Sequence, residues 1–303
     1  MGFTTRYTGL YDPQWHTDGY HPKDALAFAV LSSLAYASPK KMFEVLEGPF
    51  GFSAVLPFDK RLGKDIDTQG FVAANEDRVV VAFRGSEAKA ADWLANVQTV
   101  TDPGPFPKTK VHEGFQDALF PVMLQLGYVL RHLGTGGKQV WVTGHSLGGA
   151  LASIFTAMLL EELHSLGTTH ALGDAHRLAG LYTFGAPRVG NRAFDKQFDA
   201  RAKAQSVRAY RVVNDGDAVP HVPPEPWFSH AGTRVLLKDG LVLRGDGETT
   251  ERKQSAVGWK VMRNSIAEFF METVNPFYIG KVHVLDGKLG YIRVLEDAVS
   301  EGG

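Results

Sequence analysis

The 303-residue chain contains no cysteine. Disulfide bonds, a thiol nucleophile and any cysteine-based metal site are therefore excluded. An excess of charge of one sign is also absent, because 32 Lys and Arg residues face 33 Asp and Glu residues and the formal net charge is −1. This balance leaves neither a basic stripe nor an acidic tail, so we expect no nucleic-acid partner.

Long apolar runs are missing as well. The longest, Ala150–Leu160, is interrupted by Ser153 and Thr156 and ends at two glutamates, so it is too short to span a membrane. The first residues, Met1–Arg6, show no charged region followed by an apolar run. This pattern predicts no secretory signal peptide. We therefore expect a cytoplasmic protein, or one exported by a route without a cleaved signal.

The hydrophobic residues that are present make up 44% of the chain, enough for a buried sheet flanked by helices. Periodicity and turn residues predict strands at 51–56, 70–75, 78–84, 139–143, 181–184, 207–213, 233–237 and 241–244. They predict helices at 22–37, 113–133, 147–166, 191–203, 259–273 and 286–299. This order predicts an α/β fold with a mixed, mostly parallel sheet and helices on both faces. Without an internal repeat or a linker, we expect one domain over residues 1–303.

The most informative feature is a tight turn around Ser146. Residues 140–143 have the pattern of a strand and Leu147 begins a helix rich in small residues, so Ser146 occupies the apex of a G-x-S-x-G sequence. Gly144 and Gly148 have no Cβ to clash where such a turn brings them together. This pattern predicts a serine nucleophile, with the Leu147 N–H at the helix start as a donor to an oxyanion. The alternative is a glycine-rich turn ahead of an ordinary helix.

A nucleophilic serine needs a base and an acidic group that orients the base. In folds with this kind of elbow, the acid and the histidine follow the serine along the chain. Asp215 and Asp217 come directly after the strand at 207–213, at the edge where α/β proteins bind ligands. Both are candidates for the acid. His230 and His283 are the candidate bases further along the chain.

Five separated segments resemble the class 3 (fungal-type) lipase family of the α/β-hydrolase superfamily. They are residues 79–86, 111–115, 144–152, 182–191 and 217–224, and they occur in the order typical of the family. The resemblance extends from about residue 25 to about residue 291. It implies an α/β-hydrolase fold and hydrolysis of carboxylic esters through an acyl-serine intermediate, with no metal and no cofactor. The lack of cysteine is a departure, because many secreted fungal members carry disulfides.

The resemblance also implies the roles of individual residues in a catalytic triad with Ser146. The family carries its acid in an Asp-x-Val-Pro motif, which corresponds to Asp217 here. The histidine of a Phe-x-His-x-Gly motif is structural in the family, and His230 fits that pattern. The catalytic histidine lies near the C-terminus, where His283 stands. His283 is preceded by Val282 rather than by the more common aspartate, so His230 stays open as the alternative base.

The same resemblance indicates an oxyanion hole and a lid. The hole would use Ser86, which closes the Phe-Arg-Gly-Ser strand, together with the backbone N–H of Leu147. Residues 87–99 occupy the position of a lid helix that covers the serine in water and moves away at a lipid interface. Its apolar face would be formed by Trp93, Leu94 and Val97. A fixed, core-facing helix is the alternative.

Substrate preference is the least determined property. Trp227 and Phe228 lie among prolines beside the predicted acid, where they would line an acyl pocket or fill the core. We expect a triacylglycerol lipase that makes transient contact with a lipid interface. The alternatives are an esterase of short-chain or phenolic esters, a phospholipase A1, or a catalytically inactive binding module on the same fold. The sequence leaves the oligomeric state open.

Overall fold

The structure is a computed structural model that describes residues 14–15, 18–62, 66–85, 99–133, 137–165, 177–238, 241–244, 283, 285 and 290–301. The predicted helix at 259–273 lies outside these residues. No helix within the described ranges is long and apolar enough to cross a membrane.

Helices and strands alternate in the middle of the chain, between residues 113 and 214. The helices are α1 (Pro22–Leu34), α2 (Pro39–Glu47), α3 (Glu113–Leu133), α4 (Leu147–Ser165), α5 (Arg192–Ala204) and α6 (Tyr291–Glu301). The first strands are β1 (Ala54–Leu62), β2 (Ile66–Ala74), β3 (Arg78–Phe83), β4 (Thr101–Pro103) and β5 (Lys110–His112). The later strands are β6 (Gln139–His145), β7 (Arg177–Phe184), β8 (Arg208–Asn214), β9 (Thr233–Lys238) and β10 (Leu241–Arg244).

Eight strands form one sheet in the order β1-β2-β3-β6-β7-β8-β9-β10, and β4 and β5 form a separate hairpin. The middle of this order is a parallel run, in which each strand is parallel to the next. It consists of β3, β6, β7, β8 and β9. Antiparallel pairs add β2 and β1 at one edge and β10 at the other. The predicted mixed, mostly parallel sheet is therefore confirmed.

Alternate residues of the central strands point to opposite faces, and each face has its own hydrophobic core. One core joins α1, α2 and α6 to the sheet through Val80, Ala82, Trp141 and Tyr182. The other joins α3, α4 and α5 to the sheet through Val79, Val81, Val140 and Val142. Because both faces are covered, these strands are apolar throughout rather than alternating with polar residues.

Several element boundaries differ from the predictions. Strand β1 runs on through the charged residues 59–61 to Leu62, because nine residue pairs join it to β2 and this pairing outweighs local propensity. Helix α2 was not predicted, although Met42, Val45 and Leu46 are buried at helical spacing after a proline. The short β4–β5 hairpin was also missed. The last helix begins at Tyr291 rather than at residue 286, with Gly290 in a bend before it.

The parallel strands place their carboxyl ends along one edge of the sheet. Each of four neighbouring parallel strands is followed by one residue of interest. These are Gly85 after β3, Ser146 after β6, Gly185 after β7 and Asp217 after β8. Residues that are up to 132 positions apart in sequence therefore meet at this edge, which is where ligands bind in open α/β sheets.

Candidate active site

The turn between β6 and α4 holds Ser146 in a strained conformation. Its φ angle is 57°, in the left-handed region that non-glycine residues rarely adopt. The Ser146 N–H donates a hydrogen bond to the Phe184 carbonyl at 2.9 Å, which anchors the turn to β7. A Cβ on Gly144 would overlap the backbone of Gly148, so the turn closes only with glycine at the first position. Strain of this kind is typical of a nucleophile elbow.

Three buried side chains form a hydrogen-bonded chain at this turn. His283 Nε2 lies 2.9 Å from Ser146 Oγ. His283 Nδ1 lies 2.9 Å from Asp217 Oδ2 and 3.1 Å from Oδ1. The exposed fractions of Ser146, His283 and Asp217 are 7%, 5% and 1%. With the Nδ1 proton donated to the carboxylate, Nε2 is free to accept the proton of the serine hydroxyl.

The carboxylate of Asp217 is held by two further donors. The Val219 N–H donates to Oδ1 at 3.0 Å, and the Tyr291 hydroxyl donates to Oδ2 at 2.6 Å. Burial by itself would raise the pKa of Asp217, but the charge of His283 and the hydrogen bonds from His283, Tyr291 and Val219 together hold that pKa below its usual value. Asp217 therefore stays ionised, as the orienting member of a triad must.

Tyr291 is a site residue that sequence reasoning did not assign. It is fully buried at the start of α6, and its hydroxyl accepts a hydrogen bond from the Asn214 N–H at 3.0 Å. The hydroxyl thus links the end of β8 to Asp217. A tyrosine at the start of a C-terminal amphipathic helix was the available signal, but nothing local in the sequence connects it to an aspartate 74 residues earlier.

Gly185 is the second residue whose role was missed. It follows β7 with a φ angle of 56°. A Cβ at this position would lie 2.7 Å from Asp217 Oδ2 and 3.0 Å from His283 Nδ1. Any other residue here would press against the Asp–His pair, so the glycine makes room for it.

The competing candidates lie away from the serine. Asp215 is partly exposed, with its Oδ2 3.5 Å from Lys238 Nζ at the surface. The ring of His230 donates from Nε2 to the Pro220 carbonyl at 2.6 Å. Burial, followed by the charges of Arg211 and Arg188, lowers the pKa of His230 well below its usual value. The structure therefore brings Asp217 and His283, rather than Asp215 and His230, to Ser146.

The remaining predicted residues are placed as follows. Leu147 is the first residue of α4, so its N–H is one of the four helix-start amides that have no intrahelical acceptor. Phe228 is fully buried, with its ring 5.9 Å from that of His112, which places it in the interior. Trp227 is 46% exposed. Outside the described residues lie Ser86, Trp93, Leu94 and Val97, and the oxyanion and lid assignments that use them stay predictions.

Within the part of the chain that the structure describes, no group of three His, Cys, Asp or Glu side chains is placed to hold a metal ion.

Comparison with protein-family models identifies the family of this chain. The model described as "Lipase (class 3)" matches residues 80–227, a span that contains the elbow, Gly185 and Asp217. The chain belongs to the class 3 lipase family. The lipase of Rhizomucor miehei is 32% identical over 218 residues, which cover 68% of this chain and 56% of that relative.

Other relatives of this chain carry a different activity in their names. Phospholipase A1-II 6 of Oryza sativa subsp. japonica is 26% identical over 196 residues, covering 57% of this chain and 46% of that protein. The chain thus spans about half the length of the curated relatives that it matches.

Solved structures of fungal lipases share the fold. Lipase II from Rhizopus niveus superposes with a TM-score of 0.61 at 24% identity, covering 75% of this chain and 85% of that chain. Rhizomucor miehei triacylglyceride lipase superposes with a TM-score of 0.57 at 26% identity, covering 76% and 88%. The chain therefore has the α/β-hydrolase fold.

Proposed function

We propose that this class 3 lipase hydrolyses carboxylic esters through an acyl-serine intermediate. In this proposal Ser146 is the nucleophile, His283 is the general base and Asp217 orients the imidazole. The observation that carries it is the unbroken chain of contacts from Ser146 Oγ to His283 Nε2 at 2.9 Å, and from His283 Nδ1 to Asp217 Oδ2 at 2.9 Å.

The proposed reaction has two halves. His283 Nε2 takes the hydroxyl proton as Ser146 Oγ attacks the ester carbonyl carbon, and the carbonyl oxygen becomes an oxyanion. The Leu147 N–H, together with the N–H and hydroxyl of Ser86, would stabilise that oxyanion. When the carbon–oxygen bond to the alcohol breaks, His283 gives its proton to the leaving alcohol. Water then repeats the cycle on the acyl-serine and releases the acid.

Triacylglycerol is the substrate class that we favour. The support is the similarity to Rhizomucor miehei triacylglyceride lipase, over 88% of that structure. Phospholipid hydrolysis at the first acyl position is the second candidate, because a rice relative is named a phospholipase A1. Contact with a lipid interface belongs to both proposals. A fungal lipase–inhibitor complex, similar to this chain at a TM-score of 0.55, has been described as a model for interfacial activation.

The nucleophile is tested by replacing it. Ser146→Ala is expected to lower kcat by about 10³-fold or more and to leave the melting temperature nearly unchanged, because the hydroxyl serves chemistry rather than packing. Labelling with a fluorophosphonate, followed by peptide mapping, should place the label on Ser146. A label on another serine, or full activity of the alanine variant, would overturn the proposal.

The substrate class is tested with the wild-type enzyme and Ser146→Ala as the blank. A chain-length series of p-nitrophenyl esters, an emulsified triacylglycerol and phosphatidylcholine vesicles are compared at equal enzyme concentration. Activity that rises steeply when a triacylglycerol exceeds its solubility supports an interfacial lipase, and release of fatty acid from the vesicles supports a phospholipase A1. If Trp93 lies on a lid, Trp93→Ser should weaken that rise. Smooth saturation across the solubility limit would favour an esterase of soluble substrates.

A further inference from the structure

The side chain of His145, inside the elbow itself, contacts two other segments of the site. His145 is buried, with 6% exposure, and is the residue immediately before Ser146. Its Nε2 lies 2.6 Å from the backbone carbonyl oxygen of His283. Its Nδ1 lies 3.1 Å from the hydroxyl of Tyr36, two residues beyond the end of α1. The reaction proposed above uses neither contact.

The Tyr36 hydroxyl extends this chain of hydrogen bonds to a third segment. It accepts a hydrogen bond from the N–H of Gly85 at 2.9 Å. Gly85 follows β3 and directly precedes Ser86, the predicted oxyanion donor. A Cβ on Gly85 would overlap the Tyr36 hydroxyl and would approach the His145 carbonyl oxygen to 2.6 Å, so the contact is a close one.

One arrangement of protons satisfies all three hydrogen bonds. The Gly85 N–H donates to the Tyr36 oxygen, and the Tyr36 hydroxyl then has its proton left to donate to His145 Nδ1. This leaves the His145 proton on Nε2, where it donates to the carbonyl of His283. In this arrangement the ring is the neutral Nε2–H tautomer. A protonated ring would carry a second hydrogen on Nδ1, facing the Tyr36 hydroxyl.

The electrostatics of the site agree with a neutral ring. Burial, followed by the nearby charge of His283, lowers the pKa of His145 to about 3. The two imidazole rings lie 4.6 Å apart between centroids, at an angle of 35°. When His283 takes the proton of Ser146 it becomes positive. A neutral neighbour at this distance adds no like-charge repulsion to that step.

We propose that Tyr36 and His145 are positioning residues, which hold the backbone of His283 and of Gly85 in register with the elbow. His283 lies in a bend, not in a helix or strand, so the hydrogen bond from His145 restrains a backbone that has no ladder partner. The same relay holds Gly85, the residue before the predicted oxyanion donor. The inference rests on the proposed function, because it assigns these residues to the ester hydrolysis carried out at Ser146.

The first test removes one hydroxyl from the relay. Tyr36→Phe is expected to lower kcat on a soluble p-nitrophenyl ester by about 10-fold, with KM within about two-fold, because a small misplacement of reacting groups slows the chemical step more than it weakens binding. The matched control is Tyr210→Phe. That ring lies in the core cluster on the same face of the sheet, 5.3 Å from Tyr20 between centroids, and should leave kcat unchanged.

The second test separates positioning from packing at His145. His145→Leu removes both hydrogen bonds, whereas His145→Gln keeps an N–H donor within reach of the His283 carbonyl. We expect kcat per fluorophosphonate-titrated site to fall by about 100-fold in the leucine variant and to recover several-fold in the glutamine variant. The Tyr36→Phe/His145→Leu double variant should be little worse than His145→Leu, because the two residues act as one chain.

The outcomes distinguish the two proposals. If the wild-type enzyme hydrolyses esters and the fluorophosphonate labels Ser146, the proposed function stands. The kinetics of the variants then test the positioning role of Tyr36 and His145. Equal kcat per titrated site in wild type, Tyr36→Phe and His145→Leu would overturn the positioning role. A loss that appears only as fewer titratable sites would also overturn it, because packing alone then explains the loss. Wild-type enzyme that never labels at Ser146 would instead overturn the proposed function.

Discussion

At the scale of single residues, the site depends on how the acid is surrounded. Asp217 is almost fully buried, and an isolated buried carboxylate would take up a proton. Donors from Tyr291 and Val219, with His283 opposite, supply the hydrogen bonds that keep it ionised. Gly185 leaves the space that this arrangement needs. In the proposed reaction, the triad is therefore maintained by residues that have no part in bond making.

The assignment of the base gives a prediction at this scale. His283→Ala is expected to lower kcat on a scale similar to Ser146→Ala, and the double variant should be little worse, because the two residues act as a unit. His230→Ala should instead lower the melting temperature, because it removes a hydrogen bond to the Pro220 carbonyl, while kcat per folded molecule is retained.

The measurement is kcat on a soluble ester, normalised to the folded fraction, alongside thermal unfolding of each variant. A strong loss of kcat in His230→Ala with normal turnover in His283→Ala would assign the base to His230.

At the scale of elements, the elbow works because α4 starts very close to the central strands. Gly148, the second residue of α4, faces the carbonyl of Phe83 at the end of β3, and a Cβ there would overlap that backbone. This close approach keeps the positive end of the helix beside Ser146, where an oxyanion would form. The glycines of the elbow therefore serve the packing of helix on sheet as well as the turn.

Gly148→Ala is accordingly expected to destabilise the protein and to impair catalysis together. Because the overlapped atoms are backbone and cannot rotate away, we expect the free energy of unfolding to fall by about 1–3 kcal/mol, with a lower kcat in the molecules that fold. Chemical denaturation and kinetics on a soluble ester measure the two effects.

Gly127 in α3 provides a matched control. Apart from the helix's own backbone, the described residues bring only the end of the Arg131 side chain near a Cβ there, at 3.9 Å. Gly127→Ala should therefore raise stability by about 0.5–1 kcal/mol through helix propensity, with kcat unchanged. If both variants behaved alike, close packing of α4 on β3 would not be the reason for glycine at position 148.

At the scale of the whole molecule, stability is linked to pH through histidines that the fold keeps neutral. Burial, as the largest cause in each case, lowers the pKa of His145 to about 3, that of His221 to about 4 and that of His230 well below its usual value. Their ordinary value in an unfolded chain is about 6.5. At a pH between the lowered pKa of a histidine in the folded protein and its value of about 6.5 in the unfolded chain, the unfolded chain binds a proton that the folded protein does not.

Stability is therefore expected to fall as the pH decreases from about 6.5 to about 4, and to be independent of these groups above about pH 7.5. Each histidine contributes up to about 1.4 kcal/mol per pH unit in that window. Asp217 has a lowered pKa, so its own contribution is present above about pH 4 and is lost at still lower pH. Urea unfolding at a series of pH values measures the slope.

His230→Gln serves as the control, because the amide retains a donor for the Pro220 carbonyl but does not titrate. Its slope between pH 6.5 and 4 should be shallower than that of the wild type. Constant stability over this range, or an unchanged slope in His230→Gln, would contradict the linkage.

The sequence by itself determined the features that depend on neighbouring residues. The alternation of apolar strands with helices predicts the mixed sheet, because the periodicity of each element is local. The glycines around Ser146 predict the elbow, because a sharp turn restricts the residues two positions away on either side. Resemblance to the class 3 lipases selected Asp217 through the Asp-x-Val-Pro motif. It favoured His283 only by its position near the C-terminus and left His230 as the alternative base.

The tertiary structure decided the contacts between residues far apart in the chain. Ser146 and His283 are 137 positions apart, and the choice of His283 over His230 is visible only where the strand ends converge. Tyr291 reaches Asp217 across 74 positions, and Tyr36 reaches His145 across 109. Such contacts leave no periodic signal in the sequence, because they arise when separate elements pack on one sheet.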